Sequence, residues 1–137
     1  MFKMFKVKKV FAALCAVALI ASSGTAVYAD SWDSVSGYLP SCGSVDGFSC
    51  SWQQSGVKYV KAETSSTQNA YRIRADMTAV NRQTGVTLAS GVQQMNNYDY
   101  ACALRTVNYN TSVTVFGSHQ VWGTGNEYWG AFVTVYD

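Results

Sequence analysis

Apolar and polar residues alternate with a period of two along most of the chain beyond residue 40, and that period predicts half-buried β-strands. In Tyr71-Arg-Ile-Arg-Ala-Asp-Met-Thr-Ala79 the odd positions Tyr71, Ile73, Ala75, Met77 and Ala79 are apolar. Arg72, Arg74, Asp76 and Thr78 occupy the other face. Tyr98, Tyr100, Cys102 and Leu104 alternate in the same way with Asp99, Ala101, Ala103 and Arg105, which predicts the first four as the apolar face. Turn residues punctuate the pattern: Asn81 to Gly85, with Gly85 free to take a positive φ, then Asn108-Tyr-Asn110 and Gly123-Thr-Gly-Asn126. Strands are predicted near 47–53, 57–64, 71–79, from Val86 onward, and near 98–105, 111–122 and 127–136. No amphipathic helix interrupts them. About seven short strands at hairpin spacing give an all-β class, a small antiparallel β-sandwich, with a small barrel as the second architecture.

The first 29 residues follow a different pattern and predict a cleaved secretory signal peptide (residues 1–29) ahead of one domain (residues 30–137). Lys3, Lys6, Lys8 and Lys9 form a positive stretch, Val10 to Ile20 an apolar run, and Val27-Tyr28-Ala29 a cleavage site that leaves Asp30 as the new N-terminus. The apolar run is short for a bilayer span, and Ser22-Ser23-Gly24 follows it, so no transmembrane anchor is expected in the mature protein. Leu14 directly before Cys15 does not suit lipid attachment at that cysteine. The layout is that of a Gram-positive secreted, extracellular protein.

Removing this segment reverses the charge. All four of its lysines go, and residues 30–137 hold six Lys and Arg against eight Asp and Glu, a net of −2. A slightly acidic domain without a basic run is a poor fit to nucleic acid or to electrostatic membrane attachment, so neither is expected as a partner. The remaining chain is long enough for one domain that buries about two-thirds of its unfolded surface. Leu and Ile are scarce in it, while Val, Thr, Tyr and Trp, which suit a pleated surface, are plentiful.

Three cysteines remain: Cys42, Cys50 and Cys102. An odd count in an exported protein leaves one unpaired, or paired between molecules. The short Gly43- and Gly47-containing segment makes Cys42–Cys50 the leading disulfide. Cys50–Cys102 across a sandwich, Cys42–Cys102 and no bridge remain open. Tyr100-Ala-Cys102 has the spacing of an immunoglobulin tyrosine corner, but Trp52 follows Cys50 by only two residues and no further Trp precedes Cys102, so the Trp of an intervening strand is missing and that topology is not inferred.

Catalytic chemistry finds little to use. His119 is the only histidine, and it shares parity with Val113, Val115 and Val121, which predicts a structural role. Its neighbour Ser118 points to the opposite face and cannot form a nucleophile–base pair with it. Asp33, Asp46, Glu63, Asp76, Asp99 and Glu127 are scattered singly, without the paired carboxylates of a glycosidase. Neither CxxC spacing nor a nearby His supports a metal site among the cysteines. No enzyme activity, cofactor or metal is expected.

The candidate site lies in the last hairpin. Trp129, Ala131, Val133 and Val135 form an apolar core stripe that is expected to align with Val113, Val115 and Val121. The opposite parity carries Phe116, Ser118, Gln120 and Trp122 on one strand, then Tyr128, Phe132, Thr134 and Tyr136 on its partner. An antiparallel sheet should be polar where it faces water, and this face is aromatic. Phe116, Gln120, Trp122, Tyr128, Phe132 and Tyr136 are therefore the candidate ligand-binding residues. Flat rings interspersed with hydrogen-bonding groups suit sugar rings or peptide surfaces. The competing expectation is that the N-terminal segment, with Trp32, Tyr38 and Leu39, folds over this face and covers it.

Two functions follow as expectations. One is a secreted non-catalytic binding protein that recognises a cell-wall or cell-surface component, a glycan or a protein. The other comes from a resemblance. The signal-peptide layout, Trp32 soon after the cleavage site, the Asn-x-x-Thr-Gly turn from Asn81 to Gly85 and the aromatic C-terminus resemble the lactococcin-like bacteriocins. That resemblance implies a small β-sandwich that acts as an antagonist at the envelope of related Gram-positive bacteria. The mature domain is longer than the family's pattern and carries cysteines the pattern does not require. Exposed strand edges and the odd cysteine also leave a dimer open.

Overall fold

The computed structural model describes residues 30–137, so the expected signal peptide lies outside the described residues. Six strands make up the fold: β1 (Ser31–Leu39), β2 (Gly43–Gln54), β3 (Val57–Asn81), β4 (Thr87–Asn108), β5 (Val113–Trp122) and β6 (Tyr128–Tyr136). Every pairing is antiparallel, the sheet order is β1-β2-β3-β5-β6, and β4 runs along the free edge of β3.

The 25-residue strand β3 organises the molecule. Its first part, Val57–Ser66, pairs with β2, and its last part, Arg72–Asn81, pairs with β5 on the same edge. Between Ser65 and Ala70 its register with β4 slips, and Asn97 on β4 takes a positive φ of 53° near the same level. A bulge of this kind bends a strand and increases its twist. The single sheet folds back there, so that β1 comes against β6 and β2 against β5 and β6. The result is an antiparallel, nearly closed all-β sheet.

The strand count differs from the expected seven for a physical reason. The segments near 57–64 and 71–79 are one strand, because the polar Thr64-Ser65-Ser66-Thr67 patch is a bend, not a break. Its hydroxyls serve the bend: Thr64 Oγ1 donates to the Arg74 carbonyl at 2.8 Å and Ser66 Oγ to the Gln68 carbonyl at 2.7 Å. The segments after Val86 and near 98–105 likewise join into β4. Strand β1 has little alternation, with Ser34, Ser36 and Gly37 in its centre, and forms through its pairing with β2 from Ser31↔Ser51 to Leu39↔Gly43.

The core follows the predicted parity on β3, β5 and β6, except that Tyr71, next to the bend in β3, is exposed instead of buried. Val115 lies opposite Val135 and Val121 opposite Trp129. Met77, Ala79, Val113, Val115, Val133 and Val135 pack with Val60 and Ala62 from the other half of the sheet. Ile73, Ala75 and Val121 pack with Leu39, Cys42 and Val45. On β4 the predicted parity is inverted. Ala101 and Ala103 are the core residues, while Tyr100, Cys102 and Leu104 point the other way, since the folded-back sheet leaves room only for small side chains there. Glycines permit the close approach at the seam: a Cβ on Gly37 would stand 2.2 Å from the Trp129 indole nitrogen. The three turns form as expected, with Gly85 at φ +74° donating its N–H to the Asn81 carbonyl at 2.8 Å.

Candidate binding face

Strands β5 and β6 set the register of the predicted site. Trp122 lies opposite Tyr128, Gln120 opposite Gly130, Ser118 opposite Phe132 and Phe116 opposite Thr134, all directed away from the core valines. The structure places all six predicted residues on this one face, and no strand among the described residues covers it. Phe132 is 84 % exposed, Tyr136 63 %, Tyr128 51 % and Phe116 45 %. The covering role expected of the N-terminal segment is not filled: β1 pairs with β2, Leu39 enters the core, and Trp32 stacks on Phe48 at 5.9 Å on a different face.

Neighbouring side chains fix the rings. Trp122 and Tyr128 meet at 5.4 Å with their planes inclined by 53°. Gln120 Nε2 donates to the Tyr128 hydroxyl at 3.0 Å, and that hydroxyl lies over Gly130, where a Cβ would approach it to 2.3 Å. Cations from β3 and its following turn join the platform. The Arg72 guanidinium sits 5.2 Å from the Trp122 ring, and that of Arg82 5.7 Å from Tyr136. Arg74 makes a two-pronged contact with Asp76, at 2.7 and 2.8 Å. A groove of about 430 Å³ opens where β1 meets β6, lined by Asp30, Trp32, Asp33, Thr134 and Tyr136 among others. Tyr136 belongs to both the face and the groove.

Sequence reasoning did not place Arg72, Arg82, Asp30 or Asp33 beside this face. Arg72 was legible as outward-facing from its parity, but its partner Trp122 depends on the β3–β5 register, which no local signal carries. The groove depends on closure between the first and last strands.

His119 is wholly buried, as its parity predicts. Thr64 Oγ1, which gives its proton to the Arg74 carbonyl, accepts from His119 Nδ1 at 2.9 Å. Nε2 then accepts from the Ser49 hydroxyl at 3.2 Å. This is a serine–histidine pair, with Ser49 rather than the adjacent Ser118, but it lies sealed in the core where no substrate reaches it. Burial lowers the His119 pKa to about 4, against the opposing pull of the Glu63 backbone and of Asp76. The neutral ring is a core hydrogen-bonding strut.

The Cys42–Cys50 disulfide is not formed, and among the described residues Cys42, Cys50 and Cys102 are all thiols. Gly43 through Cys50 run as extended strand, which sets the two Cα atoms about 25 Å apart, far beyond bridging distance. Cys50 and Cys102 project from the same side of one sheet with β3 between them, so the bridge across two layers does not arise. Burial pushes the Cys50 thiol up to about 12, with Lys61 acting in the other direction. Among the described residues no three His, Cys, Asp or Glu side chains converge to hold a metal ion.

Comparison with protein-family models, with curated proteins and with solved structures finds no match for the chain. The functional reading therefore rests on the residues themselves.

Proposed function

We propose that this chain is a secreted, non-catalytic binding protein that recognises a cell-wall or cell-surface component through the outward face of β5 and β6. One observation carries the reading: Phe116, Tyr128, Phe132 and Tyr136 are exposed together on a single face of a regular hairpin. An uncovered aromatic cluster of this size is costly in water and marks a contact surface more often than not. The alternation of rings with Gln120, Ser118 and Thr134 favours a glycan, whose apolar ring faces stack while its hydroxyls hydrogen-bond. The adjoining groove, with Asp30 and Asp33, adds carboxylates of the kind that accept sugar hydroxyls.

We read the folding-back of β3 and β4 in this nearly closed sheet as a sandwich of two layers. That is the architecture implied by the resemblance to lactococcin-like bacteriocins, and it favours a second reading in which the bound envelope component is the target of an antagonist. Both readings share one test. Purified residues 30–137 are co-sedimented with intact Gram-positive cells and isolated walls, and compared with Trp122→Ala. Binding by the parent that is lost in the variant is the expected result, and a viability count separates antagonist from binder. Failure of the parent to sediment would remove both readings.

A further inference from the structure

The aromatic face of β5 and β6 continues onto the last part of β3 and the first part of β4, and its charges do not balance. Register aligns Asn96, Arg72, Trp122 and Tyr128 in one row across four strands. Residues paired across strands project from the same side, so the row lies on the outward surface and spans about 14 Å. Arg74 and Asp76 follow on β3, opposite Gln120 and Ser118. The outward positions of β4, β5 and β6 along these pairings carry no charged side chain. Arg74 takes the carboxylate of Asp76 through its two hydrogen bonds, which leaves Arg72 as a surplus cation. None of the ion pairs among the described residues involves Arg72, and its Nε is buried without a hydrogen-bond partner among them.

Two further carboxylates lie near this end of the hairpin in sequence, and neither joins the row. Glu127 is held by the loop after β1, where it accepts from the Ser41 N–H at 3.1 Å and from the Ser41 hydroxyl. Asp99 lies past the positive-φ residue Asn97, outside the paired rows. Only rings hold the Arg72 guanidinium, Trp122 at 5.2 Å and Tyr71 at 6.0 Å. A guanidinium laid against an indole keeps its charge and its edge N–H groups while the ring restricts its position. The opposite end of the hairpin has another character. Arg82 Nη1 donates to the Asp137 carbonyl at 2.8 Å, and Asp30 and Asp33 line the groove beside Tyr136. The uncompensated positive charge is therefore confined to the Trp122 end of a domain whose residues 30–137 sum to −2. A domain of that sign is not drawn to an acidic polymer at long range, so any such attraction has to be local.

We propose that the Trp122 end is an anion subsite, and that the glycan bound by this face carries a carboxylate or phosphate beside the sugar ring that stacks there. The inference rests on the binding of a glycan by the β5–β6 face and adds its chemical class. Trp122 and Tyr128 take the apolar side of the ring. Arg72, with Nε buried, meets the anionic oxygens through its two terminal nitrogens in parallel N–H···O bonds. The exposed amides of Asn96 and Gln94 flank it as hydroxyl partners. Asp30 and Asp33 repel a second acidic group at the far end, so charge also sets the direction of the polymer: an acidic sugar at Trp122 and an uncharged one beside Tyr136.

The test compares residues 30–137 with Arg72→Gln on isolated Gram-positive walls in three states: untreated, with carboxyl groups amidated, and with phosphate polymers stripped by hydrofluoric acid. Co-sedimentation isotherms give the affinity for each. The parent should bind untreated walls about tenfold more tightly than Arg72→Gln. One of the two treatments should abolish that difference by weakening the parent to the level of the variant, and which one it is tells carboxylate from phosphate. An Arg72 that merely props the Trp122 ring would weaken binding to all three preparations equally, and that result would overturn the proposal. Equal binding of parent and variant to untreated walls would overturn it too. Either of these leaves the glycan reading standing, since the parent still binds. Failure of the parent to bind any of the three preparations would remove the glycan reading, and the anion subsite with it.

Discussion

At the residue scale, two side chains carry separable consequences. Phe132 is the most exposed aromatic of the candidate face and makes little contact with the fold. Phe132→Ala should therefore weaken wall binding about tenfold, the equivalent of about 1.4 kcal/mol, with no change in thermal midpoint. A loss of stability in step with the loss of binding would show that the ring is structural. His119 behaves in the opposite way. Its folded pKa of about 4 lies below the ordinary value of 6.5, so the unfolded chain takes up the proton first. The stability that depends on the neutral ring is complete above pH 6.5 and lost as the pH falls to 4, a span worth about 3 kcal/mol. Urea unfolding at pH 7, 5.5 and 4 should show this loss in the parent, over and above that in His119→Gln. Parity alone assigned His119 to the core. Its partners Ser49 and Thr64 were not legible, because they lie 70 and 55 residues away and meet it only through the folding of the sheet.

At the scale of strands, alternation reads well where one side of a strand faces a uniform environment. It gave the correct face for β5 and β6, where valines alternate with polar or aromatic residues. It failed on β4, where both faces are partly buried and the larger residues Tyr100 and Leu104 lie opposite the core alanines. It also divided β3 at a polar bend whose hydroxyls bond to the backbone. The fit between β2 and β5 depends on glycine. A Cβ on Gly117 would stand 2.0 Å from Ser49 Oγ, and one on Gly47 2.4 Å from the His119 ring. Gly117→Ala should cost about 1–3 kcal/mol by overpacking, measured by urea denaturation. An unchanged midpoint would mean that β2 and β5 have room to separate.

At the scale of the whole molecule, closure of the first strand on the last is the event that local sequence could not announce. It forms the groove beside Tyr136 and turns β1 away from the aromatic face, which leaves that face open. Gly37 permits it, so Gly37→Val should push β1 off Trp129 and speed amide exchange along β1 and β6, with less effect on the β3–β5 pairing. Uniform acceleration across all strands would instead make the seam part of a single cooperative unit. The exposed face gives the molecule its proposed purpose, and the most direct measurement maps where a ligand touches it. Residues 30–137, labelled with ¹⁵N, are titrated with soluble cell-wall fragments while backbone amide shifts are followed. The account predicts that the perturbed amides cluster on Phe116–Trp122 and Tyr128–Tyr136. A cluster confined to β1 and β2, or no perturbation at all, would contradict it.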